Sequence, residues 1–349
     1  MVALGVLLHA IGGFAAGTFY LPIRKIRGWS WESGWLVNGV SSWILAPAVV
    51  ATLTVPHLTD VLRSVPGATL GWTYFFGVLW GVGGLTFGLS CRYLGLALGY
   101  ALALGFCAFF GTIVPPIYDG RFGGLLGTAS GQVLLAALGV CLAGIALCGR
   151  AGVAKERDLA ATRGSVAEPE FRFLKGVMVA LFAGVMSSCM SFAFRAGAPI
   201  AERAVAAGVP VLWQNTPVLV VVLLGGFTTN AAWCVILNIK NRSAGDYLGR
   251  GEGPVAWNYF LATVAGVTWY LQFMFYGMGT TKMGAYDFSS WTLHMAFIIV
   301  FSNLWALRLG EWTEASPRTR GLLIAGIGVV LASTVMVGLS NGMAAVAPR

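Results

Sequence analysis

Apolar residues fall in long unbroken runs along this 349-residue chain. Ten runs lie at about 2–21, 36–55, 71–91, 96–117, 132–149, 174–194, 211–237, 259–279, 288–309 and 321–339, with short polar stretches between most of them. A helix rises about 1.5 Å per residue and the hydrocarbon layer is about 30 Å thick, so roughly 20 apolar residues suffice to cross it. The pattern predicts an all-α membrane protein of ten transmembrane helices. No Lys or Arg precedes the first run and no clear cleavage site follows it, so it is expected to be a retained helix and not a removed signal peptide. Pro22, Pro56, Pro116, Pro199 and Pro317 fall near predicted boundaries. Pro47, Pro115 and Pro217 lie nearer helix interiors and predict kinks or hinges.

Composition agrees with this picture. Hydrophobic residues make up 57% and charged residues 10%, against roughly 25% charged in soluble domains. The formal charge of +9 comes with no basic helix, aromatic ladder or zinc spacing, so nucleic acid is excluded as a partner. Most of the basic residues lie in the loops after the odd-numbered runs, among them Arg24, Lys25, Arg27, Arg150, Lys155, Arg157, Lys240, Arg242 and Arg318. The positive-inside rule then puts both termini on the periplasmic side, with the basic loops against anionic membrane lipid. The six cysteines have neither disulfide nor metal spacing and read as small buried hydrophobes.

The longest polar segment divides the chain into residues 1–149, a cytoplasmic linker at 150–173, and residues 174–340. Five is odd, so a duplicated five-helix half must insert upside down. Trp80, Gly88 and Gly95 recur at the spacing of Trp269, Gly277 and Gly284, pairing helix 3 with helix 8. Gly5, Gly13 and Arg24 recur as Gly176, Gly184 and Arg195, pairing helix 1 with helix 6. The expected architecture is two inverted five-helix repeats, which lets a central site open to each side in turn.

Catalytic chemistry has little support. His9, His57 and His294 form no metal cluster, and the glycine runs lack the strand and the Asp or Lys of a nucleotide cradle, so no metal or cofactor is expected. The informative residues are polar side chains within apolar runs. His9 sits between Gly5 and Gly13 on a stripe that continues to Ala16 and Tyr20; it is either part of a polar contact face or a helix-start histidine at the outer interface. Asp287 and His294 are spaced to share a face of helix 9, which makes Asp287 a candidate proton carrier assisted by His294 or His9; otherwise it caps the helix. Trp269, Gln272 and Tyr276 in helix 8, with Trp80 and Trp291, combine rings that cover sugar C–H faces with groups that bond to hydroxyls. Gln214, Asn215 and Asn38 offer further neutral polar contacts, the last beside Ser41 and Ser42. These residues describe a secondary transporter for a polar, uncharged solute.

The sequence resembles the bacterial L-rhamnose–proton symporter family of the drug/metabolite transporter superfamily. The resemblance rests on His9 through Trp35, with Phe19-Tyr20-x-Pro22 and Trp29-Ser30-Trp31-Glu32; on Trp80-Gly81 and Arg92-Tyr93-Leu94-Gly95; on Trp269-Tyr270-Leu271-Gln272-Phe273 with Tyr276; and on Tyr286-Asp287 through Ser290-Trp291-x-Leu293-His294-Met295. It implies ten helices, an inner-membrane location, and uptake of L-rhamnose or a related monosaccharide with protons. The chain departs from the family pattern at Gly83-Gly84-Leu85-Thr86-Phe87, at Trp213-Gln214-Asn215-Thr216-Pro217, and in the longer loop at 241–258. Two rival functions stay open: proton-coupled export of a small metabolite or hydrophobic cation, and a sensor or scaffold that binds without flux. The charge asymmetry makes one prediction directly. A reporter fused after Arg349 that is active only in the cytoplasm is expected to be silent, and full activity there would reverse the assigned orientation.

Overall fold

Helix formation follows the apolar runs closely, because a backbone in hydrocarbon has only itself to bond to. In the computed structural model the long elements are α1 (Val2–Thr18), α2 (Trp31–Thr54), α3 (Gly67–Leu94), α4 (Leu96–Tyr118), α5 (Ala129–Arg163), α6 (Phe173–Ala196), α7 (Thr216–Asn241), α8 (Val255–Thr280), α9 (Ser290–Arg308) and α10 (Pro317–Val346). The structure describes residues 2–94, 96–163, 172–250 and 253–346. Gly95, Arg349 and residues 164–171 of the expected linker therefore lie outside the described residues. Among those described there is no strand. The fifth helix runs on through Arg163, so the linker begins as helix.

Among the described residues, nine helical segments are long and apolar enough to cross a membrane. They match nine of the ten predicted runs. The other run is α8, which has 26 residues and no charge, but its Trp, Tyr, Asn and Gln side chains lower its hydropathy. Leu53, Leu174 and Ile239 are 80%, 74% and 74% exposed, an arrangement that suits lipid contact and would be costly in water.

Two prolines show how the backbone adapts. The turn before Pro47 widens into a π-helix at Val40–Leu45, since proline has no N–H to donate and its ring crowds the carbonyl one turn back. Pro217 is not interior, contrary to the expectation from the apolar run. Val211–Trp213 forms a separate 3₁₀ turn and α7 starts at Thr216, which puts Pro217 in the first turn, where the missing donor costs least.

The chain packs as two compact units that do not follow its order. Unit 1 comprises residues 1–14, 83–191 and 279–349; unit 2 comprises 15–82 and 192–278. Each draws on both halves of the sequence, and the boundaries fall inside α1, α3, α6 and α8.

Helices in lipid gain no hydrophobic drive from meeting each other, so close approach at small residues carries the packing. In unit 1 a Cβ on Gly5 would lie 2.9 Å from Met283 Sδ and 3.1 Å from Lys282 Cβ, and one on Gly13 would strike Phe297. A Cβ on Gly176 would strike Leu94 and reach Tyr93, and one on Gly184 would strike Phe106. In unit 2 Gly77 lies against the Val222 carbonyl of α7, and a Cβ on Gly266 would lie 2.7 Å from Ser41 of α2. Gly225 and Gly226 meet α3 at Tyr74 and Trp80. A leucine at position 77 has no room because its neighbour is backbone. Gly77→Leu is expected to cost at least the roughly 1–3 kcal/mol of an overpacked core, read as a lower unfolding midpoint in detergent. An unchanged midpoint would contradict the close approach.

Candidate functional site

The sequence-selected side chains form two groups, one in each unit. In unit 2, Trp80 and Trp269, expected as equivalents in the two halves, have ring centroids 5.5 Å apart. Trp43 packs edge-on to Trp269 at 5.2 Å and to Trp80 at 6.1 Å, while Phe273 lies 5.4 Å from Trp80 and 5.1 Å from Trp269. The cluster forms because Gly226 leaves space for the Trp80 ring and Gly39 for Trp43. Gln272 and Tyr276 are buried on the same helix, with the Tyr276 ring 5.0 Å from Phe194.

The helices that carry these rings also carry polar groups without a hydrogen-bond partner in the protein. Asn38 is fully buried, and neither its amide nitrogen nor its oxygen makes a hydrogen bond within the protein. The same holds for Ser42 Oγ, Trp43 Nε1 and the Tyr270 hydroxyl. Ser42 and Trp43 lie in the π-helical segment and Asn38 two residues before it, and Gly266, one turn before Tyr270, presses on the Asn38 carbonyl and the Ser42 amide. A buried polar group without a partner costs about 1–3 kcal/mol. Trp43 brings one of them into the ring cluster itself, and the others are candidates for ligand contact.

Two other neutral candidates are placed differently. The Asn215 amide donates to the Gly277 carbonyl at 2.7 Å, tying the start of α7 to α8. Gln214 caps the adjoining 3₁₀ turn and is half-buried.

In unit 1 His9 is fully buried, and a Cβ on Gly279 would lie 2.7 Å from its ring. The stripe through Gly5, His9 and Gly13 is therefore a contact face and not an interfacial helix start. His294 is also fully buried and within electrostatic reach of His9. Trp291 donates from Nε1 to the Cys107 carbonyl at 3.0 Å and is seated on Gly111, so its indole is engaged by α4.

Asp287 departs from the expected helical register. Gly284 (φ 65°) opens a 3₁₀ turn over Gly284–Ser289, Asp287 accepts the Phe288 N–H at 2.9 Å, and α9 begins only at Ser290. Asp287 therefore shares no α-helical face with His294 and does not cap α9, whose N-cap is Ser289. It is exposed.

The sequence reading missed Glu32, the only buried acid among the described residues, which is 4% exposed. Its carboxylate accepts from Ser243 Oγ at 2.7 Å and Asn241 Nδ2 at 3.0 Å. Ser243 Oγ also lies 3.0 Å from Asn238 Oδ1, and Ser33, beside Glu32, donates to Asp246 at 2.8 Å. The network fastens the start of α2 to the end of α7 and to the 3₁₀ turn Ser243–Leu248. An acid among three tryptophans at the start of an apolar run was the available signal; its partners lie some two hundred positions away.

Several lipid-length helices, with tryptophans clustered inside them, define a multi-pass membrane protein. The family follows from sequence comparison. The model of the L-rhamnose-proton symport protein (RhaT) family matches residues 1–345, and the chain belongs to that family. It is 39% identical over 346 residues to an L-rhamnose-proton symporter of Cronobacter sakazakii, covering 98% of each chain. It is 36% identical to proteins of the same name from Klebsiella pneumoniae (strain 342) and Escherichia coli, again over 98% of each. Membership places the chain among transporters and not enzymes.

The orphaned amide yields a stability prediction. Asn38→Leu keeps volume and removes an unsatisfied pair, so the ligand-free unfolding midpoint is expected to hold or rise. A clear fall would mean that the amide is already satisfied.

Proposed function

We propose that this protein carries L-rhamnose, or a related neutral monosaccharide, into the cell together with protons, across the bacterial inner membrane by alternating access. The observation that carries the reading is the set of orphaned groups on Asn38, Ser42, Trp43 and Tyr270, on helices that contribute to the Trp43–Trp80–Trp269 cluster. A 6-deoxy sugar offers hydroxyls to such groups and a methyl and C–H face to the rings. Gln272 and Tyr276 extend the site along α8, with Gln214 and Asn215 at the start of α7. The named side chains of this cluster are uncharged, which favours a neutral sugar over export of a hydrophobic cation.

In this reading α8 is the tenth span, both termini are periplasmic, and residues 1–149 and 174–340 are inverted repeats joined by 150–173. The glycine contacts support it. The step along the chain that carries Trp80 to Trp269 also carries Gly77 to Gly266, Tyr93 to Lys282 and Leu94 to Met283. Gly5 packs on Lys282 and Met283, as its counterpart Gly176 packs on Tyr93 and Leu94. Likewise Gly77 on α3 packs on α7, and Gly266 on α8 packs on α2.

For proton coupling, Asp287 with His294 and His9 is the first assignment, and burial makes Glu32 the second. A carboxylate removed from bulk water changes its interactions most on protonation.

The test is uptake of a radiolabelled sugar panel into proteoliposomes. L-rhamnose is expected to accumulate only with an imposed pH gradient, and Asn38→Leu is expected to reduce uptake at least tenfold. No flux of any sugar would favour a sensor or scaffold, and flux without a gradient would remove the coupling. Asp287→Asn is expected to abolish accumulation while sparing exchange. If accumulation persists and Glu32→Gln abolishes it, Glu32 is the carrier.

A further inference from the structure

We propose that unit 1 carries a binding groove for an anionic phospholipid of the surrounding bilayer. The groove has a volume of about 1020 Å³ and runs between α4, α5 and the start of α10. Its chemistry is divided along its length. Phe106, Phe109 and Ile145 contribute to apolar walls, whereas Arg150, Arg157 and Arg318 lie toward the end where α5 finishes and α10 begins.

Asp158 also lines that end, but its carboxylate accepts the Ser316 N–H at 2.8 Å just before α10. Three guanidinium groups against one engaged carboxylate leave the end positive. Guanidinium forks match phosphate oxygens geometrically and hold them in pairs.

Two further observations set this end at the depth of lipid headgroups. α5 has 35 residues, so it measures about 50 Å and outruns the roughly 30 Å hydrocarbon layer. Near its end, Lys155 Nζ lies 4.8 Å from the centroid of the Trp312 ring, and Trp with Lys or Arg is the usual marking of the membrane–water boundary. A soluble sugar would place most of its hydroxyls against phenylalanine rings here. An amphiphile with a phosphate at one end and acyl chains along the other satisfies both parts, as basic pockets between membrane helices do generally.

The experiment uses the full-length protein purified in a neutral detergent, with the unfolding midpoint followed during titration with phosphatidylglycerol, phosphatidylcholine or inorganic phosphate. Phosphatidylglycerol is expected to raise the midpoint saturably, with phosphatidylcholine at least tenfold weaker and inorganic phosphate without effect at millimolar concentration. The triple variant Arg150→Gln, Arg157→Gln, Arg318→Gln changes only exposed side chains and is expected to keep its lipid-free midpoint while losing the phosphatidylglycerol response. Gly105→Leu fills the apolar part, since a Cβ there meets only Ile145 at 3.8 Å and Leu142 at 4.0 Å; it is expected to weaken the response with the arginines intact. Equal responses to both lipids, a full response in both variants, or a shift with inorganic phosphate alone would overturn the proposal. None of these readouts involves sugar flux.

Discussion

Hydrocarbon satisfies no backbone hydrogen bond and rewards no contact between apolar helices, and the rest of this structure depends on that constraint. Every crossing segment must be helical, and helices must find another reason to stay together. Here that reason is backbone proximity at glycine. Gly13 against Phe297, Gly77 against Val222 and Gly184 against Phe106 are each spacings that a single methyl group would destroy. Dispersion and weak polar contacts over such surfaces replace the water-driven core of a soluble protein.

The same close packing lets polar groups be held without partners. Unit 2 tolerates the orphaned amide of Asn38 and the neighbouring hydroxyls and indole N–H because rings and glycine contacts around them fix the local backbone. Unit 1 engages several of its polar residues. There Trp291 is spent on the Cys107 carbonyl, Thr112 and Thr292 share a hydroxyl hydrogen bond, and the Asn341 amide donates to Ser289. Unit 1 is not exhausted by these bonds, since Ser290 Oγ and the Asn341 side-chain oxygen there also lack a hydrogen-bond partner in the protein.

Much of this was legible in the sequence, for identifiable reasons. Run length alone locates the helices, since the bilayer imposes it, and the search for ring-and-amide pairs inside the runs picked out Trp80 and Trp269, whose rings lie 5.5 Å apart. What escaped was set by contacts distant in the chain or by local turn chemistry. The burial of Glu32 depends on Asn241 and Ser243. Trp43 carries no repeat signature, and only its depth in a run, away from either interface, hinted at its place among the rings. Asp287 and His294 have helical spacing, but Gly284 and the aspartate's bond to its own neighbour delay the helix beyond the reach of a periodicity argument.

The π-helical segment of α2 has one more consequence. A π turn stores a residue beyond what the α-helical ladder needs, so the face that α2 presents after Val40–Leu45 is rotated by about 100° from where an uninterrupted helix would put it. Residues from Ala46 onward therefore owe their direction to a surplus residue, and Trp43 sits within the turn that holds it. Such a surplus can pass along a helix by exchanging one hydrogen-bond partner at a time, which turns side chains without unwinding the segment. Length variation among relatives in this stretch would then be a change of aim, with the helix ends held in place.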